Sequence, residues 1–164
     1  MEQVKDSKIT LVSYDSTRTS IDEKSAEKSI LIKDYSKDFP NAEIHLNNID
    51  GDTLIKIKEY LEHYKEENPK IIPKPLPKKD FKEIVDEFDY NYINIDTEKI
   101  FNLMLAANFL NIEPLINLTC AKISSLISGK KPEEIRRILG MGKDFNELDD
   151  NEENNIIKEN LMNY

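Results

Sequence analysis

Four prolines fall between residues 66 and 82, and proline at this density excludes a regular helix there. Five lysines lie among them, and the spacing favours an extended, polyproline-like conformation. We therefore predict a Lys/Pro-rich loop over 66–82 and interpret it as a spacer, with a ligand for a proline-recognising domain as the alternative. The loop separates a first half with strand patterns from a second half that is more apolar and more helical.

The N-terminal residues have the pattern of a β-hairpin. Residues 8–14 are rich in β-forming side chains, and residues 15–18 have the composition of a turn. Residues 19–22 supply a second short extended segment. We expect the two segments to pair and to contribute the strands of a mixed α/β domain.

Two helices are predicted after the hairpin. Sparse apolar positions between residues 23 and 39 indicate a short, partly buried helix that Pro40 ends. A turn at 50–52 is followed by a helix over 53–65, because apolar residues recur there at three- and four-residue spacing. That apolar face consists of Leu54, Ile57, Tyr60, Leu61 and Tyr64.

The second half begins with a strongly apolar helix pattern. Asp96 is placed to cap a helix over 97–110. Apolar side chains lie on nearly every face of this helix, which is typical of a helix at the centre of a core.

Two more helices are predicted towards the C-terminus. Asn111 would cap a helix over 112–128, and Gly129 suits the stop that follows it. Pro132 opens a short helix over 132–139, since proline is tolerated at the first helical position. These helices carry more apolar side chains than they can bury against each other, so they either pack on the N-terminal core or present a groove to helices of a partner.

Sequence signatures of catalysis are missing, and we expect no catalytic residue, no cofactor and no metal. The glycines at 140–142 lack the spacing and the Ser/Thr of a phosphate-binding loop. His45 and His63 lack metal-ligand spacing, and Cys120 lies in an apolar helical stretch where a buried structural thiol is expected. The chain has no catalytic signature, and its C-terminal helices have more apolar surface than they can bury against each other. Together these features indicate an interaction module and not an enzyme.

Charge and hydropathy restrict partners and location. Thirty-two acidic residues against 23 basic ones give a net charge of -9, which disfavours nucleic-acid binding because phosphates would be repelled. No apolar run is long enough to cross a membrane, and the first residues lack the pattern of a signal peptide. We expect a cytoplasmic and nuclear protein without membrane contact.

Several segments together resemble the S-phase-kinase-associated protein family, the small adaptors of SCF (cullin–F-box) ubiquitin ligases. The C-terminal half matches the family pattern at 106–112, 118–120 and 129–137, the last reading GKKPEEIRR. The N-terminal half matches at 26–33 and 44–49. The likeness covers nearly the whole chain.

The resemblance implies an α/β (α+β), mostly helical fold: a BTB/POZ domain over 1–127 followed by a C-terminal helical extension over 128–164. It implies a non-catalytic adaptor that bridges a cullin to F-box substrate receptors, and a homodimer when the F-box protein is absent. Carried over by position, Asn108 and Phe109 would face the cullin. The F-box surface would draw on Ile123, Ile127, Pro132, Ile135, Arg136, Leu139, Met141 and Met162.

The chain departs from the family pattern in places. It has no Trp, whereas the family usually has one near the C-terminus, where Met162 lies here. Its central loop is basic, whereas the family loop is typically acidic. Two alternatives stay open: an elongin C-like adaptor, against which the residues after Gly129 argue, and an F-box-binding structural subunit of a non-ligase complex.

Overall fold

The computed structural model describes residues 8–140, which form a small sheet and eight helices. Strands β1 (Lys8–Ser13) and β2 (Arg18–Asp22) form the predicted antiparallel hairpin, with Ile9 opposite Ile21. Strand β3 (Ile44–Leu46) pairs in parallel with the other edge of β1, so the strand order is β2-β1-β3. The prediction of a mixed α/β domain with an N-terminal hairpin is confirmed.

The segment after the hairpin forms two helices, so the prediction of one helix is wrong. Helix α1 (Glu23–Ala26) is a single turn, capped by Asp22, whose carboxylate accepts a 2.7 Å hydrogen bond from the Ser25 backbone N–H. Helix α2 (Ile30–Asp38) starts afresh because the Ser29 hydroxyl accepts a hydrogen bond from the Ile32 N–H at 3.2 Å. A capping serine divides the segment.

Helix α3 (Gly51–His63) carries the predicted apolar face into the core. It begins two residues earlier than predicted, because Asp50 is its N-cap and not part of a separate turn. The Asp50 carboxylate accepts from the Thr53 backbone N–H at 2.9 Å and from the Thr53 hydroxyl at 2.7 Å. The first bond gives a partner to a backbone N–H of the first turn, which has none within the helix, and the second bond orients the Thr53 side chain.

The proline-rich stretch contains neither helix nor strand between residues 64 and 80. Ile72 and Leu76 nevertheless pack, partly buried, against the hydrophobic core, so the stretch is not a detached spacer. Helix α4 (Phe81–Ile84) begins inside the range predicted as loop, and helix α5 (Glu87–Tyr92) follows it. Neither short helix has a periodic pattern long enough to recognise from sequence.

Helix α6 (Thr97–Phe109) ends in a Schellman motif that corrects the role predicted for Asn111. Asn111 adopts the left-handed conformation with φ of 54°. Its N–H donates to the Asn108 carbonyl at 3.2 Å, and the Ile112 N–H donates to the Ala107 carbonyl at 2.9 Å. Asn111 therefore terminates α6 and does not cap the following helix.

Helix α7 (Glu113–Ile127) and helix α8 (Pro132–Ile138) match the predicted C-terminal helices. Gly129 has φ of 71° after the end of α7, which is the stop expected of it. Pro132 is the first residue of α8, and the Glu134 carboxylate accepts a 2.9 Å hydrogen bond from the Lys131 backbone N–H. Local signals alone locate this helix.

The chain divides into two compact units, Met1–Leu126 and Ile127–Tyr164. The described part of the first unit contains the hydrophobic core, with Leu11, Ile32, Leu54, Ile57 and Leu103 almost completely buried. Within residues 8–140, no helix is long and apolar enough to span a membrane. The expected domain limits 1–127 and 128–164 stay a prediction.

Two burial predictions are wrong. Cys120 is exposed on α7, although a buried structural thiol was expected. Helix α6 is not surrounded by core, since Leu105 is 64% exposed. Apolar composition predicts that a helix packs somewhere, but the face that stays uncovered depends on which neighbours are present.

Candidate protein-binding surfaces

The last two turns of α6 present an exposed apolar side. Leu105 is 64% exposed and Phe109 41% exposed, and Asn108 beside them is also exposed. The spacing of three and four residues places these side chains on one face of the helix. The structure thus brings the two predicted cullin-facing residues, Asn108 and Phe109, to the surface next to Leu105.

The start of α2 is fixed beside this face by hydrogen bonds. The Ser29 hydroxyl donates to the Leu110 carbonyl at 2.6 Å, and the Leu31 N–H donates to the same oxygen at 3.4 Å. Ile30, 54% exposed, is held there through its N–H, 3.5 Å from the Asn111 carbonyl. The result is a shallow depression between the two helices, which we call the α2–α6 depression. It is lined by Ile30, Leu31, Asp34, Tyr35, Asp38, Asn108, Phe109 and Asn111.

A second concavity adjoins α6 on the side of Leu105. Tyr14, at the end of β1, is 63% exposed and shares the lining of this concavity with Leu105, Asn102 and Asp50. Sequence reasoning missed Leu105, Tyr14 and Ile30 as surface residues. Leu105 could have been found from its helical spacing to Asn108. The exposure of Tyr14 and Ile30 depends on which distant parts of the chain pack beside them, and the local sequence does not indicate this.

Ile123 lies on α7 within the first unit. It is half-buried and packs against the hydrophobic core, as does Leu126 one turn later. Part of the Ile123 side chain therefore stabilises the fold, and only its remaining surface is free to meet a partner.

Helix α8, in the second unit, has no buried residue. Ile135, Ile138 and Leu139 are half-buried and lie at the three- and four-residue spacing of one helix face. Pro132 and Arg136 are exposed.

The remaining residues of the predicted F-box surface fall in the same unit or outside the described part. Ile127, the last residue of α7, is half-buried. Met141 and Met162 lie outside the described residues.

A buried polar cluster lies between α3 and α5, within the first unit. Asp89 is 2% exposed, and its Oδ1 has no hydrogen-bond partner. Burial raises the pKa of this carboxyl above its usual value, and burial likewise raises the pKa of the Tyr60 and Tyr64 hydroxyls. Among residues 8–140 no group of His, Cys, Asp or Glu is arranged to hold a metal ion.

Comparison with known proteins places these elements in a family. The model for the "Skp1 family, tetramerisation domain" matches residues 7–66, and that for the "Skp1 family, dimerisation domain" matches residues 113–161. The first match covers the sheet through α3, and the second begins with α7 and includes α8. The chain is thus a POZ-type α/β domain with a C-terminal helical segment.

Full-length relatives agree with this class. An S-phase kinase-associated protein 1 homolog from Tetrahymena thermophila is 39% identical over 140 residues, covering 84% of each chain. The E3 ubiquitin ligase complex SCF subunit sconC of Arthroderma otae is 35% identical over 94% of this chain and 93% of its own. Suppressor of kinetochore protein 1 of Schizosaccharomyces pombe is 35% identical over 94% of this chain and 96% of its own. The chain belongs to the Skp1 family.

Proposed function

We propose that this chain is a non-catalytic adaptor of an SCF-type cullin ubiquitin ligase. It bridges a cullin to F-box substrate receptors, so that bound substrates are ubiquitinated for degradation. The observation that carries the proposal is a match along almost the whole chain to proteins named as SCF ligase subunits. An adaptor of this kind works by tethering, which raises the effective concentration of the substrate near the ligating enzyme without any bond chemistry of its own.

The α2–α6 depression is the proposed cullin surface. Phe109 and Ile30 supply exposed apolar area in the depression beside Asn108, and Leu105 adds exposed apolar area on α6 outside it. Asp34 and Asp38 add charge to the lining of the depression. Apolar anchors with a charged periphery are typical of protein interfaces.

The proposed F-box surface is built from the C-terminal end of α7 and from α8. Ile127, Ile135 and Leu139 are half-buried in a helical segment that buries no α8 side chain completely. Covering such a face with an apolar helix of another protein would remove that area from water. Pro132 and Arg136 belong to the same unit and complete the proposed surface there. Ile123, in the first unit, and Met141 and Met162, outside the described residues, remain proposed F-box contacts on the family resemblance alone.

We further propose that two copies pair through this F-box surface when no F-box protein occupies it. The description of the family's C-terminal model as a dimerisation domain supports this proposal. Sedimentation should then give a dimer for the chain alone and a one-to-one complex after an F-box peptide is added. We also propose that the protein acts in the cytoplasm and the nucleus, which imaging of the tagged chain tests.

Affinity purification with two opposing variants tests the two-surface adaptor. The Asn108→Lys/Phe109→Lys variant should recover F-box proteins but no cullin. The Ile135→Asp variant should recover neither F-box proteins nor their substrates, because a carboxylate cannot be buried unpaired in an apolar interface. It should still recover the cullin. Ile55→Asp is the matched control, since Ile55 is 52% exposed on α3 and belongs to neither proposed surface.

The outcomes separate the candidate functions. Recovery of F-box proteins without a cullin from the unmodified chain would indicate a structural subunit of a non-ligase complex. Loss of both partners in either variant would contradict two independent surfaces. Circular dichroism of each variant distinguishes loss of binding from loss of folding.

A further inference from the structure

The central loop concentrates positive charge in an acidic protein. Residues 70–82 contain five lysines and one aspartate, whereas the chain as a whole carries a net charge of -9. The adaptor role proposed above uses none of these lysines. Their number and position therefore call for a separate explanation.

Lysines from different parts of the chain converge near Tyr90. The ammonium groups of Lys82, at the end of the loop, and Lys122, on α7, each lie 5.9 Å from the centroid of the Tyr90 ring. Lys122 is also 5.2 Å from the centroid of the Phe81 ring. Aromatic faces attract cations, so these rings offset part of the mutual repulsion of the two ammonium groups.

The loop is also tied to α7, the helix that carries Lys122, and it contributes further exposed lysines. The Lys74 ammonium donates a 2.7 Å hydrogen bond to the Asn117 side chain on α7. Lys78 and Lys79 are exposed, between the packed Leu76 and the buried Phe81. We call Lys74, Lys78, Lys79, Lys82 and Lys122 the basic patch.

The basic patch is not neutralised from within the described residues. The ion pairs formed between residues 8 and 140 involve other cations and leave all five patch lysines without a carboxylate partner. Asp80, the acidic residue inside the segment, accepts a hydrogen bond from the Lys82 backbone N–H and caps α4. The charge of the patch is therefore available to a ligand.

We propose that the basic patch is a docking surface for an acidic peptide segment of another protein. Charge complementarity selects an anionic partner, and Ile71, 89% exposed in the same loop, offers an apolar contact that a peptide side chain can use. Glu83, Asp86 and Glu87 are exposed directly after the patch and would repel an anion that continues past it, so a short acidic segment fits better than a long nucleic acid. The proposal does not depend on the adaptor function.

Fluorescence anisotropy of the full chain with a labelled decaglutamate peptide tests the proposal. A labelled Gly-Ser decapeptide is the neutral control, and a ten-nucleotide oligothymidylate tests nucleic acid. Decaglutamate should bind at about 50 mM salt and weaken clearly at about 150 mM, because exposed charges are screened. Changing Lys74, Lys78, Lys79 and Lys82 together to Gln should weaken binding at least about tenfold. Each exposed charge contributes modestly to the binding free energy, and four such contributions are removed at once.

A matched variant separates a local surface from overall charge. Changing Lys8, Lys33, Lys37 and Lys99 together to Gln removes the same number of positive charges away from the patch, and binding should stay within about twofold of the unmodified chain. Equal weakening in both variants, no binding of decaglutamate at low salt, or tighter binding of oligothymidylate than of decaglutamate would each overturn the proposal.

Discussion

The hydroxyl of Ser29 donates a 2.6 Å hydrogen bond to the carbonyl oxygen of Leu110, although 81 residues separate the two in the sequence. The same hydroxyl accepts from the Ile32 N–H at 3.2 Å and so begins α2. Ser29 and Leu110 are both 0% exposed. One buried side chain therefore starts one helix, satisfies a carbonyl at the end of another, and fixes the geometry of the α2–α6 depression.

Replacing Ser29 with Ala should destabilise the fold by about 1–3 kcal/mol, because a helix cap is lost and a buried carbonyl loses a donor. Urea denaturation measures the change. Ser36→Ala is the matched control, since the Ser36 hydroxyl only donates to the Lys33 carbonyl within α2, at 2.9 Å. We expect the control to change the free energy of unfolding by less than about 0.5 kcal/mol. Equal effects of the two substitutions would contradict the role of Ser29.

Gly51→Ala should destabilise the protein by about 1–3 kcal/mol, because an added methyl group overlaps a neighbour. It would collide with the Thr17 hydroxyl and lie 2.8 Å from the Thr17 Cβ. It would also disturb the Asp15 carboxylate, which accepts a hydrogen bond from the Gly51 N–H at 3.0 Å. Thr17→Gly removes the colliding atoms, so a double-mutant cycle should show a favourable coupling of about 1 kcal/mol. Strictly additive effects would disprove the overlap.

Asp89→Asn should stabilise the protein at neutral pH, because the buried carboxylate has an unpartnered oxygen and a raised pKa. The folded state holds this proton more tightly than the unfolded state. The stability that Asp89 contributes is therefore largest below its ordinary pKa of 3.8 and is lost as pH rises through the folded-state pKa. The melting temperature of Asp89→Asn, compared with that of the unmodified protein at the same pH, should therefore rise as the pH increases above 3.8.

The control for this experiment is Asp96→Asn, which removes one charge at the residue before α6. The Asp96 side chain makes no capping hydrogen bond and is exposed. This variant should keep the pH dependence of the unmodified protein. If it flattens the pH dependence as much as Asp89→Asn does, burial of Asp89 is not the cause.

Cys120 should react with a thiol reagent in the native protein, because its side chain is exposed on α7, beside Met104. Ellman's reagent should titrate one thiol per chain without denaturant. The chain contains one cysteine, so the signal is unambiguous. A thiol that reacts only after unfolding would restore the buried assignment that sequence reasoning favoured.

Local signals in the sequence were sufficient for much of the fold. The hairpin, the apolar face of α3, and α8 with Pro132 at its first position follow from periodicity, capping and turn residues. The family pattern added the candidate residues on α6, α7 and α8. These features are determined by neighbours within a few positions, which a single sequence contains.

Tertiary structure decided the rest, because burial depends on residues that are distant in the chain. Nothing near Ser29 in the sequence indicates that Leu110 will be its partner, so the position of α2 beside the end of α6 could not be predicted. Leu105 and Cys120 lie in apolar stretches, yet both are exposed in the fold. The sequence alone determined that the segments of α3, α6, α7 and α8 are helical and carry apolar side chains. The packing of the whole chain decided which of those apolar faces remain open to partners.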